Sequence, residues 1–162
     1  MLGVALMSLA GTAPAQGVRF GVGGGPTLSF AEGGGTDFHA MATLGLGGSA
    51  DKPLGFRIDG MWQFLENGES IIGNGNLVYA FGVSETTRFR PYLIGGAGIY
   101  HTAQEDSPGN SEFGINAGAG FLVPIGGGTV NLFGEARLHN IFREGGSTRL
   151  LPISAGFMFG GN

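Results

Sequence analysis

From Val18 to Phe159 the chain alternates apolar residues with small or polar ones at a period of two. Successive side chains of an extended chain point to opposite faces, so this pattern writes strands with one greasy face and one mild face. It recurs over residues 18–30, 38–47, 54–65, 71–83, 112–124, 130–142 and 149–159. In 18–30, Val18, Phe20, Val22, Leu28 and Phe30 oppose Arg19, Thr27 and Ser29. In 54–65, Leu54, Phe56, Ile58, Trp62 and Phe64 oppose Arg57, Asp59 and Gln63. A further stretch, 89–101, is extended in character, but both of its faces are mild. No stretch repeats at the helical period. The expectation is an all-β chain: eight antiparallel strands in a single domain over 17–159.

Alternation does not say which face points inward. A soluble ligand-binding barrel of the calycin kind keeps its apolar face inside, and a membrane barrel reverses this. Three observations favour reversal. Charged residues are 12% of the chain, about half the ~25% of a soluble domain, and the non-apolar face is mostly Gly, Ser, Thr and Asn. Aromatics stand at the ends of the apolar face (Phe20 and Phe30, Phe56 and Trp62/Phe64, Phe113 and Phe121), as in the interfacial girdles of a membrane barrel. Connections after the odd strands ("AEGGGTD", "ENGES", "TAQEDSPGNS", "REGGST") read as longer than those after the even ones ("GSADKP", "SETTR", "PIGGGT"). Length agrees: a spanning strand needs ~9–11 residues, and lipid offers an unpaired sheet edge no solvent, so the strands have to close. The expected fold is an eight-stranded up-and-down transmembrane β-barrel.

Other readings fall away on composition. A net charge of −4 with no basic patch gives no reason to expect nucleic-acid binding. The absence of cysteine removes disulfides, thiolate metal sites and a thiol nucleophile. The start, "MLGVALMSLAGTAPAQ", is apolar and ends in the small residues Ala13-Pro14-Ala15, so residues 1–15 are expected to be a signal peptide. It lacks a basic n-region, and the true start is expected upstream. The glycine-rich "GVGGGP" and "IGGAGIY" do not complete a dinucleotide-binding fingerprint, and no helix follows them to bind a phosphate.

The row "VNLFGEARLHNIF" sets Glu135, Arg137 and His139 two apart on one face, which raises acid/base or metal chemistry. In an eight-stranded barrel the interior has room only for its own side chains, and a charge placed there has to pair. Arg57 and Asp59 on the third strand, with Glu135 and Arg137 on the seventh, are therefore expected to form ion pairs in the lumen. Asn74, Asn76, Asn116 and His139 are expected to complete that polar network. His39, His101 and His139 show no metal-ligand spacing. No catalytic residue, metal or cofactor is expected.

Four segments, "RPYLIGGAGIYH", "EFGINAGAGFLV", "LFGEARLHNIF" and "LLPISAGFMF", resemble the small outer-membrane β-barrel family that includes the OmpA transmembrane domain and OmpX. The resemblance implies periplasmic termini, insertion by the outer-membrane assembly machinery, polar lumenal networks, and a C-terminal aromatic as assembly signal. Here Phe159 is followed by Gly160, Gly161 and Asn162, a departure from that signal. No peptidoglycan-binding domain is expected to follow. Some barrels of this size are lipid A deacylases, with a serine two residues after the histidine; after His139 come Asn140 and Ile141, so that nucleophile is missing. The functional expectation is a monomeric outer-membrane protein, surrounded by lipid and lipopolysaccharide, with a structural or surface-interaction role such as membrane integrity or adhesion. The acidic connection after strand five, with Glu105, Asp106 and Glu112, is the candidate surface for an extracellular ligand or partner. A narrow pore for ions or small solutes and a soluble calycin-like binder are the alternatives.

Overall fold

A computed structural model describes residues 17–31, 33–48, 52–82, 88–104 and 107–160. Residues 1–15, with the expected signal peptide, and Glu105 and Asp106 lie outside the described residues. The elements are β1 (Val18–Ser29), β2 (Thr36–Gly47), β3 (Leu54–Leu65), β4 (Gly68–Ala80), β5 (Arg90–Gln104), β6 (Ser107–Ile125), β7 (Val130–Arg143) and β8 (Gly146–Phe159). Each strand pairs with its sequence neighbours, and β8 returns to β1, so the sheet is a closed antiparallel barrel in up-and-down order. Closure runs from Phe20↔Phe159 to Ser29↔Leu150. Every strand is thereby paired on both sides, which is what a hydrocarbon surrounding demands of backbone amides.

The barrel is inside-out. Phe38 is 65% exposed, Leu54 62% and Phe30 60%, while Arg137 and Asp59 are each 1% exposed and His139 0%. This is the opposite of a soluble calycin-like barrel. The expected girdles exist as two aromatic rims. At the end that holds Val18 and Gly160 stand Phe20, Phe56, Tyr79, Phe89, Phe121 and Phe157, with Tyr79–Phe81 centroids at 5.3 Å and Phe89–Phe121 at 5.2 Å. At the other end Trp62 and Phe64 lie 5.6 Å apart, and Phe113 stacks on Phe142 at 6.1 Å. Between the rims the outward positions shrink to Ala40, Ala42, Gly60, Gly73, Gly75, Ala97, Ala117, Ala119 and Ala136.

The connections depart from the expected alternation. Only Glu66 and Asn67 separate β3 from β4, and only Glu144 and Gly145 separate β7 from β8, whereas four residues (126–129) join β6 to β7. After β3, β5 and β7 most of the residues read as long loops are extra strand, whereas six residues (30–35) separate β1 from β2. Ser107–Ser111 pairs back along β5 (Gln104↔Ser107, His101↔Ser111) across an irregularity between Thr102 and Gln104. Gly145 takes φ +85°, which lets the chain reverse in so few residues. Gly126, Gly127 and Gly128 (φ +55°, +88° and +96°) make the β6–β7 turn by a run of left-handed conformations that side-chain-bearing residues resist.

Glycine does a second job inside the barrel, where it makes room. The wall formed by β5 and β6 is cut back so that large groups from neighbouring strands can lie across it. A Cβ on Gly120 would stand 2.5 Å from the Tyr92 hydroxyl, and one on Gly114 would stand 2.7 Å from the Tyr100 ring. A Cβ on Gly118 would meet Arg137 Cγ at 2.7 Å. Gly73, on the outward face, has nothing within 4 Å of such an atom. Two substitutions separate these roles. Gly120→Val is expected to displace Tyr92 and destabilise the barrel by about 1–3 kcal/mol. Gly73→Ala should be neutral or stabilising by about 0.5 kcal/mol, since it removes only chain entropy. The temperature at which the compact band is lost on unheated gels reads both.

Candidate functional site

The chemistry of this molecule is concentrated in its lumen. β3 and β7 face each other across the ring of eight strands, four places apart in the order, and each carries two opposite charges on its inward face. Period-two geometry puts Arg57 and Asp59 on one wall and Glu135 and Arg137 on the other. They form a closed cycle of ion pairs. Arg57 Nη2 meets Glu135 Oε2 at 2.7 Å, and Arg137 Nη1 meets Asp59 Oδ2 at 2.7 Å, both across the lumen. Along the walls, Arg137 Nε lies 2.7 Å from Glu135 Oε1, and Arg57 Nε lies 2.9 Å from Asp59 Oδ1. That last contact is an ion pair without hydrogen-bond alignment.

The sum of the four charges is zero, and neutral donors complete the cycle. Asn76 Nδ2 donates to Asp59 Oδ2 at 2.8 Å, and the Tyr92 hydroxyl donates to Glu135 Oε2 at 2.6 Å. The Arg57 guanidinium also sits 5.9 Å from the centroid of the Tyr92 ring. Multiple charge-assisted contacts of this kind are what make a desolvated ion pair tolerable.

Next along the lumen come Asn74, Asn116, His139 and Tyr100. The Tyr100 hydroxyl and His139 Nδ1 share a hydrogen bond at 2.8 Å, the same hydroxyl donates to Asn74 Oδ1 at 3.3 Å, and Asn116 Nδ2 donates there at 3.5 Å. All eight residues proposed for the lumen are buried, in two hydrogen-bonded groups: the ion-pair cycle with Asn76, and Asn74 and Asn116 with Tyr100 and His139. Apolar side chains cap them. Met41, Met61 and Ile72 form a buried layer beyond Asp59 and Asn74, and Phe133, Ile94 and Leu122 are buried on the other side of the cycle.

Some members of these groups were not singled out from sequence. Tyr92 and Tyr100 come from β5, the stretch whose two faces looked equally mild. A second buried chain links Thr27 Oγ1 to His39 Nδ1 at 2.9 Å and His39 Nε2 to Ser154 Oγ at 2.8 Å. This is a serine–histidine contact with a threonine where an acid would stand. Ser154 and His39 are each 4% exposed, so no extended acyl substrate reaches them. The third histidine, His101, is outside the barrel and bonds Ser111 at 2.9 Å. Among the described residues no three metal-ligating side chains converge.

The candidate surface patch needs correction in one respect. Glu112 is not in a loop but in β6, because the strand begins at Ser107. There its carboxylate is held by Arg143 Nε at 2.8 Å, and Asn110 Nδ2 donates to it at 3.2 Å. Its partners in the proposed patch, Glu105 and Asp106, lie outside the described residues.

Glu135→Leu or Arg137→Leu alone leaves an unpaired charge in the lumen and is expected to cost about 3–5 kcal/mol. The double variant retains the neutral Arg57–Asp59 pair and should recover at least half of that loss. Urea unfolding of the barrel in lipid vesicles provides the comparison; single variants as stable as the parent would remove the ion-pair cycle as a stabilising element.

Three solved structures share this architecture. The chain is similar to Neisserial surface protein A (NspA), at 14% identity over 90% of this chain and 97% of that one, with a TM-score of 0.75. It is similar to the N-terminal β-barrel domain of Pseudomonas aeruginosa OprF, at 16% identity over 89% and 98% of the two chains, with a TM-score of 0.61. Ail, the attachment invasion locus protein of Yersinia pestis, aligns at 14% identity over 89% and 99%, with a TM-score of 0.54. No protein-family model and no curated protein sequence matches the chain. The likeness is one of fold: this is the closed eight-stranded barrel of the small outer-membrane β-barrel proteins.

Proposed function

We propose that the chain is a bacterial outer-membrane protein whose role is structural or surface-interactive rather than catalytic, serving membrane integrity or adhesion. The observation that carries this reading is the inverted barrel with a blocked lumen: lipid-compatible side chains outside, and four charges sealed between apolar layers inside. In this reading the end with Val18 and Gly160 faces the periplasm, and the hairpins after β3, β5 and β7 face outward among lipopolysaccharide headgroups. The assembly machinery would insert it as a monomer, with Phe159 as the final outward aromatic, paired to Phe20 and Val130. Two of the similar structures are named as a surface protein and an attachment protein, which supports placing the interaction at the outer rim. Glu66, Glu112 and Glu144 stand at that rim and give it an acidic character.

The pore alternative has less support. A solute would have to pass the Arg57–Asp59–Arg137–Glu135 cycle and then the Met41, Met61 and Ile72 layer. Single-channel recording in planar bilayers is expected to show no steady open conductance; a persistent conductance would sink the closed-lumen reading. The single tryptophan, Trp62, is 50% exposed on the outward face, where its Nε1 donates to Glu69 at 2.9 Å. Its emission should be quenched by brominated acyl chains in reconstituted vesicles, most strongly by bromines near the headgroups. Recovery of the mature protein from the soluble periplasm, monodisperse without detergent, would overturn the membrane assignment.

A further inference from the structure

The lumen end beside Val18 and Gly160 differs in charge from the rest of the interior. Three arginines, Arg19, Arg57 and Arg90, line one cavity of about 30 Å³ there, and among the described residues no Asp or Glu lines it. The charge of Arg57 is met on its far side by Asp59 and Glu135. Arg19 and Arg90 add two more positive charges. Arg19 points inward from β1, is 8% exposed, and is held by a hydrogen bond from Nη1 to the Gly48 carbonyl at 3.0 Å. A carbonyl fixes the direction of a guanidinium without neutralising it, and among the described residues no carboxylate pairs with Arg19. Arg90 has the inward position two residues before Tyr92, opposite Leu122, and is only partly buried.

Two guanidinium groups facing one small cavity repel each other, and a buried cation lacking a counter-charge is costly. A single anion between them relieves both effects. The guanidinium fork matches oxygens held on a tetrahedral or planar centre better than it matches a spherical ion. The cavity has room for roughly one water-sized group, so one oxygen would enter it while the rest of the anion stands at the mouth beside Arg90. The remaining walls, Met158 and Leu122 among them, are apolar and would strengthen the attraction by excluding water.

We propose that this mouth is a binding site for a small oxyanion of the phosphate class, clamped between Arg19 and Arg90. It goes beyond the structural or surface role proposed above and does not depend on it, since the barrel can be studied in detergent whichever way it faces in a cell. Inorganic phosphate and the phosphate of an anionic lipid headgroup share the required chemistry.

The test uses the full chain folded in a zwitterionic detergent. Inorganic phosphate is titrated at constant ionic strength against chloride, following thermal unfolding and the backbone amide signals of Gly48 and Gly55. The expected result is saturable movement of both amides and a midpoint raised by about 2–6 °C at tenfold the dissociation constant. Arg19→Gln and Arg90→Gln should each weaken binding at least tenfold, with Arg19→Lys intermediate and Arg149→Gln, on the outward face, unchanged. A second arm replaces phosphate with phosphatidylglycerol doped into phosphatidylcholine vesicles. Stabilisation there but not by free phosphate assigns the site to a lipid headgroup, and the reverse assigns it to a soluble anion. No response of the parent in either arm overturns the proposal, as does a response that survives both glutamine variants. The amide titration of the parent decides the matter even where a variant does not fold.

Discussion

Four buried charges govern the interior of this barrel. Their desolvation is tolerable only because each carboxylate touches both guanidiniums, and that requires β3 and β7 to stand opposite each other at one height. The order of signs makes the arrangement selective. Both strands run in the same direction; β3 reads Arg57 then Asp59, and β7 reads Glu135 then Arg137, so unlike charges face each other at two successive levels. A slip of two residues would keep every side chain on its correct face yet set Arg57 against Arg137. The apolar exterior offers no comparable discrimination, because one greasy residue replaces another in lipid. The polar cycle therefore discriminates against that slip, which the apolar exterior does not.

The glycines are the counterpart of that cycle. A lumen containing three buried arginines, two tyrosines, a phenylalanine and two histidines has no volume left for ordinary side chains on every wall. β5 and β6 supply the space with Gly96, Gly98, Gly114, Gly118 and Gly120. On the outside, Phe121 lies over Gly134, where a Cβ would come within 2.5 Å of its ring, and so covers backbone that would otherwise be bare. Glycines that would weaken a soluble protein are, at these inward positions, matched to large partners.

How far this could be read beforehand depended on what kind of information each feature needs. The strands and their two faces come from local alternation, and the aromatic rims sharpened the choice of inside and outside. The inward placement of Arg57, Asp59, Asn74, Asn76, Asn116, Glu135, Arg137 and His139 follows from parity alone. Which of them touch is a different matter, because Arg57 reaches Glu135 across 78 residues of chain, and that juxtaposition is set by barrel stagger, a property of the whole ring. Tyr92 and Tyr100 were hidden because Gly and Ala occupy both faces of β5 and give no contrast. The lengths of the outer connections were misread for a third reason. Acid, Gly and Ser are turn residues, but a strand that has left the membrane is free to carry them too.

That overhang of strand beyond the aromatic rim alters what an encounter at the cell surface would involve. With β3 and β7 each turning in two residues, these two corners of the crown are stiff hairpins whose strands are paired up to the turn. A visitor cannot add a strand to such a corner, and it orders little by binding there, so recognition would rest on side chains held in place beforehand, with a small entropic cost. The same stiffness narrows how the crown can diverge. Flexible loops change by insertion and deletion, whereas two-residue hairpins change mainly by substitution, one side chain at a time, on a frame that stays where it is.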